Sequence, residues 1–390
     1  MNKTTNTNTS SRSIGVGVIG CGSRIRVVLR EMQAQADAFK ILRISDPRPE
    51  ALADMQEGYP TAQAVDDYQS LVNDPAIDWV MIGSWNCFHR EHAVAAFRAG
   101  KHVFCEKPLA TNLEDCLAMR EAWLASGKQF IIGFTLRYSP HYRKIKALLN
   151  EGQIGDIISM EFNETLHFNH GGYIMGDWRR RVENAGSHLL EKCSHDIDLA
   201  NWMAGSRAAH VASFAGLDFF TPENRRHVDR IGPDSDGSIP YSTWKNVDGV
   251  DPFLGDKTIH DNQVVILEYE NGVRATFHTN MNAGIPERRM YICGTEGAIR
   301  ADVLSGQIEL KRIGFKDQLQ QLEAGASGGH GGGDAILGTN IVHCMLGREE
   351  PYTGLEDGLA SAVTCFAVDE SVAQRRMVDV GDYWKRIDQA

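Results

Sequence analysis

The sequence contains no Cys-x-x-Cys pair, although it has eight cysteines, at positions 21, 87, 105, 116, 193, 293, 344 and 365. Several lie in apolar runs, so a reduced, cytoplasmic protein with buried thiols is expected in place of a disulfide framework. No apolar stretch reaches the length of a membrane span. Residues 1–12, rich in Asn, Thr and Ser, have no apolar core and read as a disordered tail, not as a signal peptide. Positive charge is also scarce: 40 Lys and Arg stand against 51 Asp and Glu, a net charge of -11. That balance argues against nucleic acid and anionic membranes as partners. What is present is ordinary for a soluble globular chain, 42% hydrophobic and 23% charged residues. At 390 residues the chain is too long for one small core, and two domains are expected, 13–135 and 136–390.

The run Ile14-Gly-Val-Gly-Val-Ile-Gly20 reads as a buried strand entering a tight turn. Gly20-Cys21-Gly22-Ser23-Arg24-Ile25 follows, then a helical pattern to about residue 38 and a strand over 41–45 that ends on Asp46. Strand, glycine turn, helix, strand and terminal acid form a dinucleotide-binding unit. Gly20 permits the turn, and Gly22 lets a pyrophosphate approach the amides at the helix start. The third glycine of the pattern is missing, since Ile25 occupies its place. Asp46 suits the hydroxyls of an adenosine ribose and repels a 2′-phosphate, which favours NAD; Arg48 nearby keeps NADP possible. A helix cap before Pro47 is the plain alternative for Asp46.

A buried strand over 78–82 ends at Gly83-Ser84-Trp85-Asn86, and a helix over 88–99 stops at Gly100. His89, Glu91 and His92 have the composition of a metal site, but a polar first helical turn accounts for Glu91 and His92 equally well. A helix over 113–126 and a strand over 129–133 close the first domain. Ahead of that helix, Val103-Phe-Cys-Glu-Lys-Pro-Leu109 starts as a buried strand and places Lys107 before a proline, which favours an extended conformation for it. Ligands of open α/β sheets bind beyond the carboxyl ends of the strands. A partly desolvated lysine there is suited to acid–base work near neutral pH. An exposed Glu-Lys-Pro turn is the competing reading.

In the second half, a helix over 142–151 and a strand over 155–164 are expected, with a glycine-rich loop around His167 and His170. Those two histidines have no carboxylate or cysteine nearby to complete a metal set. Trp178 beside Arg179, Arg180 and Arg181 suits a stacked, hydroxyl- or anion-binding surface. A helix over 189–202 would carry Glu191, His195 and Asp198 on one face, with Lys192 and Asp196 on a neighbouring one. Residues 220–260, rich in Pro, Gly and Asp, read as a long excursion serving as a lid or a subunit arm. Strands at 263–269, 274–279 and 289–293 predict a meander with one face covered and the other open to a second subunit. Gly328-Gly-His-Gly-Gly-Gly-Asp334 has no following Lys-Ser/Thr and reads as flexible edging of a site, not a phosphate loop. A final helix over 358–375 packs back on the domains.

Several of these pieces together resemble the glucose–fructose oxidoreductase, inositol dehydrogenase and rhizopine-catabolism (Gfo/Idh/MocA) family. They are Val18-Ile-Gly-Cys-Gly22, Asn86-Cys-Phe-His89, Ala99-Gly-Lys-His-Val-Phe-Cys-Glu-Lys-Pro-Leu-Ala110, Gly133-Phe-Thr-Leu-Arg-Tyr138, Asp177-Trp-Arg179 and Glu191-Lys-Cys-Ser-His-Asp-Ile-Asp198. The resemblance implies an α/β chain: a doubly wound parallel Rossmann sheet followed by an α/β domain with a large, mostly antiparallel sheet. It implies NAD(P)-dependent transfer of hydride to or from a carbinol of a sugar, polyol or glycoside, by a homo-oligomer. For the cofactor it points to Gly20, Gly22, Ser23, Arg24, Ile25, Asp46, Ser84, Trp85, Asn86, His89, Glu106, Lys107 and Arg137. For the substrate it points to Lys107, Tyr138, Trp178, Arg179, Lys192 and His195. Such enzymes use the lysine of Glu-Lys-Pro, a histidine and an aspartate four residues before it. Lys107 and His195 match, and Glu191 stands in the aspartate's place with Lys192 beside it. Two other classes share these parts: a glycosidase that oxidises a ring carbon transiently with held NAD and eliminates the aglycone, and a nucleotide-binding regulator without catalysis.

Overall fold

Residues 13–35, 37–244, 248–325 and 329–389 are described by a computed structural model. The N-terminal segment read as a tail lies outside them. The apolar runs of the first half form six parallel strands: β1 (Ile14–Ile19), β2 (Phe39–Ser45), β3 (Gln63–Ala64), β4 (Trp79–Ile82), β5 (His102–Cys105) and β6 (Phe130–Ile132). They lie in the order β3-β2-β1-β4-β5-β6. All of β4 and β6 is buried, as a sheet covered on both faces requires. Strand order reverses between β1 and β4, and the crevice at that reversal is where open α/β sheets take their ligands. The helix Leu113–Ser126 has the bounds its pattern predicts, with Asn112 capping the Asp115 amide and Gly127 leaving at a φ of 61°.

The second sheet has nine strands: β7 (Ile157–His167), β8 (Ala208–Gly216), β9 (Asn262–Tyr269), β10 (Arg274–Ala283), β11 (Arg289–Gly294), β12 (Gly297–Asp302), β13 (Gln307–Arg312), β14 (Gln320–Glu323) and β15 (Val378–Asp379). Their order is β14-β13-β12-β11-β7-β10-β9-β8-β15, and only β7 and β10 pair in parallel. One face packs on the helices Ser194–Ala204 and Leu355–Gln374. The period-two alternation sends Phe214, Val264 and Ile266 out of the other face into solvent.

Four sequence expectations change. The helix expected over 189–202 is two pieces, His188–Glu191 and Ser194–Ala204, broken at Lys192 and Cys193. The loop expected at His167–Gly172 begins a helix, Phe168–Gly176. The excursion at 220–260 is no bare loop: Phe220, Tyr241 and Phe253 close a small apolar core with Ile174 and Met175, although residues 245–247 lie outside the described part. Strands β3, β8, β12, β13, β14 and β15 had not been anticipated. The chain also returns: the helix Gly333–Met345 lays Leu337, Ile341 and Val342 into the core under the first sheet. It crosses the helix Ser23–Met32 so closely that a Cβ on Gly338 would come within 2.8 Å of the Glu31 backbone. Among the described residues no helix is long and apolar enough to cross a membrane.

Candidate active site

The glycine turn does two different jobs. Gly20 has a φ of 82°, and a Cβ there would lie 2.4 Å from the Ser84 nitrogen, so both its conformation and its neighbours demand glycine. Gly22 is extended and caps the helix Ser23–Met32 without a side-chain bond, and a Cβ on it would meet no protein atom within 4 Å. The space above that first turn, where backbone amides carry partial positive charge, is therefore open to an anion. Ile25 explains the missing third glycine: it packs against Gly83, where an added Cβ would fall 2.6 Å from the Ile25 Cβ. The small residue that this helix–strand crossing needs stands on the strand's side. At the end of β2, the Asp46 carboxylate accepts from the Cys21 amide (2.7 Å), the Arg48 amide (2.9 Å) and the Arg48 guanidinium (3.2 and 3.3 Å). Open amides at a helix start and an acid at the next strand's end fit the pyrophosphate and ribose of NAD.

From Gly22 a cleft of about 270 Å³ runs past Ser84, Trp85 and Asn86 to Glu106 and Lys107 and into the second half. Lys107 Nζ donates to the Glu191 carbonyl oxygen and lies 3.4 Å from the Glu191 carboxylate. Arg179 Nε donates to the same carboxylate at 3.1 Å, while its guanidinium lies over the Trp178 ring at 4.4 Å and donates to Asp177 at 2.8 Å. Trp178 stacks on Trp85 across the two halves, with ring centres 5.1 Å apart. Lys192 points away from Glu191 and donates to Glu164 at 2.8 Å. Arg288 closes the network, 3.1 Å from Glu164 and bidentate on Asp196 at 2.8 and 2.7 Å.

Electrostatics follow from this crowding. Burial lowers the Lys107 pKa from the usual 10.5; the Glu191 charge opposes this, and Lys192 and Arg179 add to it. Burial by itself would raise Glu191, but the charges of Lys107, Arg179 and Lys192 outweigh it and hold the carboxyl at about 2. His195, 4% exposed, is pushed well below 6.5 by burial first and then by Lys107 and Arg288, so it is neutral at pH 7. Its Nδ1 has no hydrogen-bond partner among the described residues.

Gly22, Ser23, Arg24, Ser84, Trp85, Asn86, Glu106, Lys107, Trp178, Arg179, Glu191, Lys192 and His195 all line this one cleft. Gly20, Ile25 and Asp46 shape its floor without lining it. Three expected residues do not reach it. Arg137, expected at the cofactor, is bidentate on Asp198 at 2.7 and 2.6 Å and also holds Asp357 at 2.8 Å. That removes Asp198 from the face expected to be shared with Glu191 and His195. Tyr138, expected at the substrate, is fully buried, its hydroxyl bonded to Asn340 (3.2 Å) and Thr353 (3.1 Å). His89 is buried between two strand ends, its Nδ1 2.8 Å from the Pro108 carbonyl oxygen and its Nε2 3.2 Å from that of Ser84. Glu164, Cys193 and Asp196 lie close enough to share a cation, but the Arg288 guanidinium already pairs with both carboxylates.

Sequence reasoning missed His330 and Asp334. Of the glycine run, residues 326–328 lie outside the described part, and Gly329–Gly332 form a kinked turn in which His330 and Gly331 are left-handed, with φ of 50° and 60°. His330 faces His195 at 5.7 Å between ring centres, and its Nδ1 pairs with Asp334 at 2.9 Å. Arg24 binds Asp334 (2.6 Å), Glu106 (3.1 Å) and Thr135 (2.7 Å), which ties the glycine turn to this edge. The only signal was a histidine and an acid spaced four apart in a glycine run. Tyr173 and His170, which also line the cleft, were hidden in the unexpected helix.

A Rossmann sheet with an open glycine turn, joined by one cleft to a paired lysine and a neutral histidine, defines an NAD-binding oxidoreductase. The chain belongs to the Gfo/Idh/MocA family: residues 14–134 match its NAD-binding Rossmann fold and residues 146–380 its C-terminal alpha/beta domain. It is 34% identical to the inositol 2-dehydrogenase of Gluconacetobacter diazotrophicus over 187 residues, 47% of this chain and 52% of that protein. To the levoglucosan dehydrogenase of Pseudarthrobacter phenanthrenivorans it is 30% identical over 261 residues, 66% of this chain and 63% of that one. The chain thus matches between half and two-thirds of the length of these two relatives. Its fold is like that of levoglucosan dehydrogenase in complex with NADH and levoglucosan, with a TM-score of 0.78 at 21% identity, covering 95% of this chain and 100% of that one.

Proposed function

We propose that this protein is an NAD-dependent dehydrogenase that interconverts a secondary carbinol of a sugar or polyol and the corresponding ketone. The observation that carries this reading is Lys107, anchored on Glu191, beside a neutral His195 in a cleft continuous with the open glycine turn. Gly22, Ser23 and Asp46 hold the cofactor, and bound NAD supplies the hydride acceptor. Protonated Lys107 donates a hydrogen bond to the carbinol oxygen and polarises it as the C–O bond gains double-bond character. His195 takes the hydroxyl proton. Glu191 fixes Lys107 in place and keeps it charged, with Arg179 holding Glu191 from the other side. Trp178, stacked on Trp85 and covered by the Arg179 guanidinium, forms a rigid wall of the cleft that holds Arg179 beside Glu191. Asp46 selects NAD over NADP.

Two features of the setting belong to the same reading. The chain works in the cytoplasm, in keeping with eight cysteines that are all free. It acts as a homo-oligomer joined through the open sheet face, where Phe214 is 77%, Val264 51% and Ile266 61% exposed. The test is a screen of sugars, polyols and glycosides with NAD and NADP, read by absorbance of the reduced cofactor. Net NADH is expected. Glycoside cleavage without net NADH would instead favour the transient-oxidation glycosidase, to which neither named relative lends support.

A further inference from the structure

A second hollow opens on the far side of Lys192. It encloses about 550 Å³, inside the roughly 300–1,000 Å³ typical of small-molecule sites. Its walls share His170, Lys192 and His330 with the cleft, so the two cavities adjoin at three polar side chains. Nothing in the chemistry assigned above uses it. Glu164, only 4% exposed, lies in its wall: one carboxylate oxygen is taken by Lys192 and Arg288, and Oε2 has no hydrogen-bond partner among the described residues. Unpartnered buried carboxylate oxygens are costly, and their retention points to a ligand donor. Lys192 donates to Glu164, and an ammonium has further N–H donors to offer either cavity. Leu136, Val303 and Leu304 add apolar surface to the same walls. A hollow lined by both apolar and polar groups suits a pyranose, with its C–H face and its rim of hydroxyls.

We propose that this hollow is a second sugar subsite and that the substrate is a disaccharide or glycoside. The ring that is oxidised lies at Lys107 and His195. The linked ring passes between His170, Lys192 and His330 and sets its hydroxyls against the Glu164–Lys192 pair. This rests on the dehydrogenase reading above and extends it to substrate length.

The experiment compares kcat/KM with NAD for D-glucose, D-galactose and myo-inositol against maltose, cellobiose, lactose and galactinol. It uses the full chain and two variants. Ser305→Trp, at an exposed turn in the hollow's outer wall, fills the hollow and leaves the first cleft untouched. Glu164→Gln keeps the shape and removes the charge. The unaltered chain should prefer at least one two-ring sugar over its one-ring parent by about tenfold or more. Ser305→Trp should abolish that preference and leave one-ring turnover within about twofold. Glu164→Gln should raise KM for the two-ring sugar more than for its parent. One-ring turnover without any two-ring preference, or a preference that survives Ser305→Trp, overturns the second subsite and leaves the dehydrogenase reading standing. Absence of turnover on every sugar of the panel overturns both.

Discussion

The cofactor end and the substrate end of the cleft are built from different materials. At the cofactor end the recognition surface is backbone: a positive-φ glycine, a second glycine with empty space over it, and the amides of a helix start. At the substrate end it is a web of buried charges, in which Lys107, Arg179, Lys192 and Arg288 are set against Glu164, Glu191 and Asp196. A backbone site needs only local residues of the right shape. A charge web is assembled from distant segments and stands only if every member is paired. The two ends should therefore fail differently when altered.

The sharpest contrast comes from His195. His195→Asn should lower kcat by ~10²–10⁴-fold while NAD affinity, measured by calorimetry, stays near its original value. The pH profile of the unaltered enzyme tests the assignment behind it. His195 is depressed below 6.5, so the rate should fall only well on the acid side of that value, as the imidazole gains its proton. Lys107 is depressed below 10.5, so the rate should fall again as pH rises through that lowered value, when the ammonium is lost. A rate that instead climbs through the Lys107 transition would make Lys107 the base.

Next in size is the web itself. Arg288→Met leaves Asp196 and Glu164 buried without their main partner, a loss of about 3–5 kcal/mol in stability by denaturant titration. A loss below about 1 kcal/mol would mean that water or Lys192 replaces the guanidinium. A smaller effect on fold and a larger one on ligand is expected from Gly22→Val. A Cβ there meets no protein atom within 4 Å, so circular dichroism should be unchanged while NAD binding weakens by about tenfold or more, a steric cost of the kind that excludes a ligand from a tight site. If binding is intact, the anion does not sit on that helix. Smallest is Asp46→Ala, which should narrow the NAD-over-NADP preference by about 1–3 kcal/mol, the usual cost of stranding a hydrogen-bonded partner. Equal affinity for the two cofactors before any substitution would end the argument from Asp46, and would show that Arg48, bonded to it here, turns to meet a 2′-phosphate.

The same contrast explains what could be read from the chain alone. The Gly20–Gly22 turn, Asp46, Glu106-Lys107-Pro108 and the helix Leu113–Ser126 were legible because short-range sterics and capping determine them. The break at Lys192 and Cys193 was not, because helical periodicity runs straight through it. It exists because Glu191 is drawn to Lys107 and Arg179 while Lys192 is drawn to Glu164 on β7, and no continuous helix serves both. Arg137 and Tyr138 were misplaced for a related reason. Adjacency in a motif put them near the site, whereas their partners Asp357, Thr353 and Asn340 lie more than two hundred positions further along the chain.

The helix Gly333–Met345 has a consequence for how the protein is made. It supplies Leu337, Ile341 and Val342 to the core beneath the first sheet, and Asp334 to Arg24. A ribosome delivers residue 24 long before residue 334. The helix Ser23–Met32 must then wait with one apolar flank uncovered while some three hundred residues emerge, at ~5–20 residues per second. The nucleotide-binding half is therefore born unfinished, and a nascent chain halted near residue 330 would present that flank to chaperones.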